Sequence, residues 1–332
     1  MKNVATCLKI LLAPVLVWAM AISTANADEG IRLGVLKFGT VNWELAALKH
    51  HEIDKKNGFE LEVVPFAGKD ASTVAFLGGD VDAIVTDWLW VSRMRAEGRD
   101  YTFVPYSSAV GAIMVSGDSD LKTLADLKGK KIGVAGGPLD KSWLMIKGLA
   151  QRDLNVDLGE TNDVVFGKPP LLAKKAEQGE LDAVLNFWHY SARLEAKGFR
   201  RLISAADAAG ELGGTGPVST IGYVFSEKWA RDNPEQVAGF VAASRETKAL
   251  LKDSDDEWQR LHDDGKIKDK GKALTTLRDR FREGIPSRPL ADEKVDAAAI
   301  YDLLAELGGN KLVGSGAKMA EGTYWSGLKN GS

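Results

Sequence analysis

The chain has one cysteine in 332 residues, Cys7, and it lies in a segment with the marks of an export signal. From Asp28 onward there is no thiol. That excludes a cysteine nucleophile, a thiolate zinc site, an iron–sulfur cluster and any disulfide in the exported chain. Histidine is scarce as well, with four in the chain, and none stands with Asp or Glu at metal-ligand spacing. The sequence also lacks a phosphate-binding G-x-x-x-x-G-K-[ST] motif, a convincing Ser/His/Asp order and paired carboxylates at a spacing suited to acid–base work. Positive charge is not in excess. The formal net charge is −3, and removal of Lys2 and Lys9 with a leader makes it more negative. Mild acidity suits solubility and argues against nucleic acid as a partner. No cofactor is called for.

The N-terminus is distinctive. Lys2 and Lys9 precede an apolar run, Ile10 to Ala25, which is broken by Pro14 and ends at Ala25-Asn26-Ala27. The run is short of a comfortable bilayer span, and small residues flank its end. The pattern predicts a secretory signal peptide over 1–27, cleaved after Ala27. The mature chain is then expected in the periplasm, with no direct membrane insertion. No second membrane segment is visible.

The mature chain alternates strand and helix signals. "IRLGVL", "FELEVVPF" and "VDAIVT" read as strands, with helices over 43–55, within "GKDASTVAFLGGD" and over 88–97. "KKIGVA", "NDVVFG" and "LDAVLN" repeat the strands, with helices between and after them. The copies share one register. Segments 79–98 and 179–198 are identical at seven of twenty positions, including Gly79/Gly179, Asp82/Asp182 and Trp88/Trp188. A period of one hundred residues is too long for a solenoid and points to two similar α/β lobes. Extended stretches 110–115 and 219–225 are placed to carry the chain across and back. The predicted division is 28–109 with 219–332 as one lobe, including C-terminal helices, and 110–218 as the other. "NPEQVAGFVAASRETKALLK" reads as a helix, and the charged "DSDDEWQRLHDDGKIKDKGK" as a solvated helix face or loop.

In open parallel sheets, ligands bind beyond the carboxyl ends of the strands. Here those ends carry aromatic and polar residues. Asn42, Ser142, Asp87 and Asn186 stand at helix starts, where free N–H groups favour an anionic group; each residue type also caps helices with no ligand present. Asp87 either receives an ammonium or N–H from a ligand, or opens a helix. Asp140 and Lys141 share a loop, and Lys69 is a possible donor from the first lobe. Trp43, Trp88, Trp90, Phe187 and Tyr190 stack a ligand or pack helix on sheet. Trp88 and Trp188 are equivalent in the repeat, which favours scaffold for that position. His189 is the one histidine at a strand end.

These segments resemble those of a known group. "FGTVNWELA", "GGDVDAIVTDW", "LADLKGKKIGVAGGPLDKSW", "GKPPLLAKKAEQGELDAVLNFW" and "YVFSEKWARDNPEQVAGFVAA" are similar in kind and order to the nitrate/taurine and thiamine-pyrimidine-precursor binding proteins of ABC importers. The resemblance covers about residues 31 to 250. It implies a type II periplasmic binding protein fold with a ligand cleft between two α/β lobes joined by two crossing strands. It implies capture of a small solute by hinge closure, delivery to an ABC permease with its ATPase, and a monomeric, non-enzymatic chain. Helix N-termini favour an anion, and Asp87 with the aromatics favours a cation. A zwitterion or nitrogen heterocycle uses both. The competing readings are an enzyme of the same fold, of thiamine-pyrimidine or menaquinone-pathway type, and a hard-cation binder using Asp87 and Asp140.

Overall fold

The computed structural model describes residues 30–328. The expected leader and its cleavage point lie outside the described residues. The first run of elements is β1 (Ile31–Leu36), α1 (Val41–His50), α2 (Ile53–Lys56), β2 (Leu61–Phe66), α3 (Lys69–Gly78), β3 (Ala83–Asp87), α4 (Trp88–Ala96) and β4 (Tyr101–Ser107). The second run is β5 (Ala112–Val115), β6 (Lys131–Ala135), α5 (Lys141–Leu154), β7 (Asp163–Gly167), α6 (Pro169–Glu177), β8 (Ala183–Asn186), α7 (Trp188–Ala196), β9 (Arg200–Ser204) and α8 (Ala205–Glu211). The chain then forms β10 (Ile221–Ser226), α9 (Glu227–Asp232), α10 (Pro234–Asp253), α11 (Asp255–Asp263), α12 (Lys272–Glu283) and α13 (Leu290–Val313).

The strands make two sheets of the same design, ordered β2-β1-β3-β10-β4 and β7-β6-β8-β5-β9. In each, the first three strands are parallel and the fourth runs against its neighbours. The antiparallel strands are the two expected crossings: β5 enters the second sheet, and β10 returns to the first. The shared residues of the repeat explain the shared design. Asp82 Oδ2 accepts the Arg32 N–H at 2.8 Å, and Asp182 Oδ2 accepts the Lys131 N–H at 2.7 Å. Each carboxylate ties the start of one strand to the start of its neighbour. Gly79 and Gly179 end equivalent helices with φ of +81° and +72°, a region where a Cβ is costly.

Several boundaries differ from the sequence reading. The expected helix over 43–55 is two helices, broken at Glu52, whose φ of +53° interrupts the spiral. Thr40, not Asn42, precedes the first of them. Strands β4 and β9 were not expected. In β4, Pro105 obscures the signal, but the strand lies at a sheet edge, where a missing N–H costs little. The charged stretch forms α11, which buries Trp258 and Leu261 beneath its acidic face.

The C-terminal helices bind the halves together. α12 packs on α7, while α13 touches both α4 and α5. Bidentate ion pairs join Arg193 to Asp269, with both contacts at 2.9 Å, and Arg280 to Glu195. Trp43 meets Trp188 edge-on at 5.9 Å, with Trp258 and Phe281 closing the cluster.

Candidate ligand cleft

A narrow cavity of about 60 Å³ lies between the two sheets, within about 600 Å³ of empty space that includes the open solvent at its mouth. It begins where β3 hands over to α4 and where α5 starts, so strand ends and helix N-termini form its walls. Its polar lining residues are Asp87, Ser108, Lys141, Ser142 and Thr220. Met145, Ala205, Ala209, Val218, Ile300 and Leu304, with Trp88 and Val110, make the rest of the lining largely apolar.

Asp87 organises the charged part of the lining. It is 5% exposed. Its Oδ1 accepts the Trp90 N–H at 2.8 Å, the N-cap bond of α4. Its Oδ2 faces two ammonium groups, Lys69 Nζ at 3.2 Å and Lys141 Nζ at 3.4 Å. Burial works against its charge. The charges of Lys141 and Lys69, with the Trp90 N–H, outweigh that and hold the carboxyl well below the usual carboxylate range. Of the two expectations for Asp87, the helix cap is present, and the ammonium groups that it meets are the protein's own.

Lys69, Asp87, Trp88 and Ser142 converge at the cavity or on Asp87. Asp140 stands behind them. Its Oδ1 accepts the Trp143 N–H at 3.1 Å to cap α5, and burial pushes its carboxyl up. The other expected residues do not line the cavity. Asn42 Nδ2 donates to the carbonyls of Leu36 and Gly39, both at 2.8 Å, and shapes its own loop. Trp43 is in the core with Trp188. Trp90 stacks on Tyr101 at 5.7 Å and sits against Phe76, because the face of α4 opposite the cavity carries it. Asn186 donates to the Pro169 carbonyl and accepts from the Phe187 N–H, both at 2.9 Å. Phe187 is 40% exposed at the start of α7.

His189 and Tyr190 are half-buried on α7, where Arg193 lies 5.3 Å from the Tyr190 ring centre. Burial, and then the Arg193 charge, push the His189 ring down to about 3, so it is neutral at physiological pH.

Among the described residues, no group of three or more His, Cys, Asp or Glu side chains is placed to hold a metal. No helix among them is long and apolar enough to cross a membrane.

The sequence reading undervalued Lys141 and did not anticipate the apolar lining. Lys141 had a signal: its counterpart in the repeat is Val41. The counterparts of Lys69 and Asp87 are Pro169 and Phe187. All three charges depart from the shared scaffold. Ile300 and Leu304 had no such signal, since only the docking of α13 on α4 and α5 brings them to the cavity.

Two sheets of this order with a cavity at their strand ends define the type II periplasmic binding protein fold. Residues 55–257 match the family described as NMT1/THI5 like, and the chain belongs to that family. It is similar to an Escherichia coli (strain K12) protein named for binding aliphatic sulfonates, at 28% identity over 76% of each chain. Its fold matches that of SsuA, the periplasmic aliphatic sulphonate binding protein of Escherichia coli, with a TM-score of 0.69, 20% identity, and coverage of 90% of this chain and 97% of that one. It also matches the alkanesulfonate-binding SsuA of Xanthomonas axonopodis pv. citri bound to MOPS, with a TM-score of 0.61, 17% identity, and coverage of 89% and 98%.

Proposed function

We propose that the protein is the periplasmic solute-binding component of an ABC importer, and that its solute is a small organic anion with an aliphatic body. The observation that carries this reading is one carboxylate shared by two lysines at a cavity whose remaining lining is mostly apolar. Two ammonium groups on a single carboxylate leave positive charge for a ligand, and Ser108, Ser142 and Thr220 add hydroxyls beside it. The apolar lining takes the body of the ligand, which is driven there by loss of water-exposed surface. A zwitterion or nitrogen heterocycle fits less well, because Lys69 and Lys141 already fill the role an ammonium ligand would have at Asp87. The relatives named for sulfonate binding support the same charge type.

The lobes in this reading are 28–109 with 219–332, and 110–218. Ligand contacts to both shift the population toward a closed state. The closed form then docks on a permease driven by its ATPase. Binding without turnover is part of the reading.

Native mass spectrometry on residues 28–332, purified without refolding, tests it together with calorimetry using hexane-1-sulfonate. A co-purified anion or saturable sulfonate binding supports the proposal. A bound cation, or a covalent adduct, would overturn it.

A further inference from the structure

We infer that Asp87 is a built-in counter-anion that makes the cleft select singly charged over doubly charged anions. This rests on the organic-anion reading above.

The carboxylate is unusual for a cavity that would receive an anion. It lines the wall, is almost fully buried, and presents Oδ2 to Lys69 and Lys141. Among the described residues, Asp87 and Lys141 are the charged side chains that line the cavity, and Lys69 reaches the same oxygen from the start of α3. Asp140 is a second carboxylate at the start of α5. It is turned to the N-terminus of α5 and does not line the cavity.

The charge count follows. Two ammonium groups and one carboxylate leave a single positive charge. A monoanion brings the cluster to neutrality. A dianion leaves net negative charge next to a buried carboxylate that two partly exposed lysines keep ionised. Repulsion from Asp87 grows with ligand charge, and at short range in a protein interior it is strong. Without Asp87, the same two lysines would suit a dianion.

Helix capping alone does not explain the residue. Asn caps helices as well as Asp does, and the equivalent position in the second half, Phe187, starts its helix with no side-chain cap. Nor does the shared scaffold require the charge, since Lys69, Asp87 and Lys141 each face an uncharged residue in the repeat.

The test compares hexane-1-sulfonate with hexane-1-phosphonate, by calorimetry on residues 28–332, below and above the second ionisation of the phosphonate. The sulfonate stays singly charged and reports any titration of the protein itself. The wild type is expected to lose at least about tenfold in phosphonate affinity, relative to sulfonate, when the phosphonate becomes a dianion. Asp87→Asn keeps the cap and removes the charge, and should abolish or reverse that loss. Lys69→Gln changes the charge the other way and should widen it. Equal wild-type affinity for both phosphonate forms would overturn the inference, as would an unchanged ratio in the two variants. Failure to bind either compound in either form would overturn the organic-anion reading as well. Sulfonate binding without charge discrimination overturns this inference alone.

Discussion

Lys141 Nζ, at the first turn of α5, lies 3.4 Å from Asp87 Oδ2, at the end of β3. One residue belongs to the second sheet and its helices, the other to the first. The contact therefore spans the cleft, and both residues line the cavity.

Removing that lysine should harm binding more than folding. Lys141→Met is expected to weaken binding of an aliphatic sulfonate by at least about tenfold, or about 1.4 kcal/mol. Lys69 remains to pair with Asp87, so thermal unfolding should move little. Calorimetry and a melting curve on the same sample check both halves. A fully retained affinity would remove Lys141 from the site.

The apolar lining should set ligand length. Ala209 belongs to it and comes from α8. Ala209→Leu fills part of the space and is expected to reduce affinity for long-chain sulfonates while sparing short ones. Overpacking itself costs about 1–3 kcal/mol of stability, so a series of chain lengths on the folded variant is the readout. A uniform loss across the series would place the ligand elsewhere.

The first half holds a buried ion pair away from the cleft. Lys248 Nζ lies 2.8 Å from Glu44 Oε2, and Glu44 Oε1 accepts the hydroxyls of Tyr223 and Ser244 at 2.8 and 2.7 Å. Lys248→Met leaves a buried carboxylate without its counter-charge and should destabilise by about 3–5 kcal/mol. Adding Glu44→Gln should recover part of this. Denaturant unfolding of the single and double variants measures the coupling.

His189 gives a pH prediction. Its folded-state value of about 3 is below the ordinary 6.5, so the unfolded chain binds the proton more readily. Its contribution to stability is complete above 6.5 and is lost as pH falls toward 3. His189→Gln lacks this group. Its stability relative to the wild type should rise steadily as pH is lowered through that window. A constant difference, measured by urea unfolding at several pH values, would contradict the assignment.

If two lobes close on the ligand, the radius of gyration should fall when a saturating sulfonate is added. Superimposable scattering curves with and without ligand would count against closure.

Much of this architecture was legible beforehand. Among the seven identities between 79–98 and 179–198, the aspartates tie strand starts together and the glycines end helices, while Trp88, expected as scaffold, also lines the cavity. The parallel strands and their helices followed from local pattern. Strand β4 did not, because Pro105 reads as a breaker and only an edge position reconciles it. The candidate site was half legible. Lys69, Asp87, Trp88 and Ser142 were anticipated from strand ends. Trp43 and Trp90 were anticipated too, but their helices turn them inward to Trp188 and Tyr101.

The sequence alone determined the repeat, the alternation and the positions where charge departs from the scaffold, because these are properties of local pattern and of one half compared with the other. Only the tertiary structure decided which strand-end residues meet. Whether Asp87 faces a ligand or a lysine depends on how α3 and α5 approach β3. Part of the cavity's apolar lining comes from α13, which follows β3 by some two hundred residues in sequence and reaches the cleft by packing on α4 and α5. Such contacts are set by the fit of whole helices, which no short stretch of sequence records.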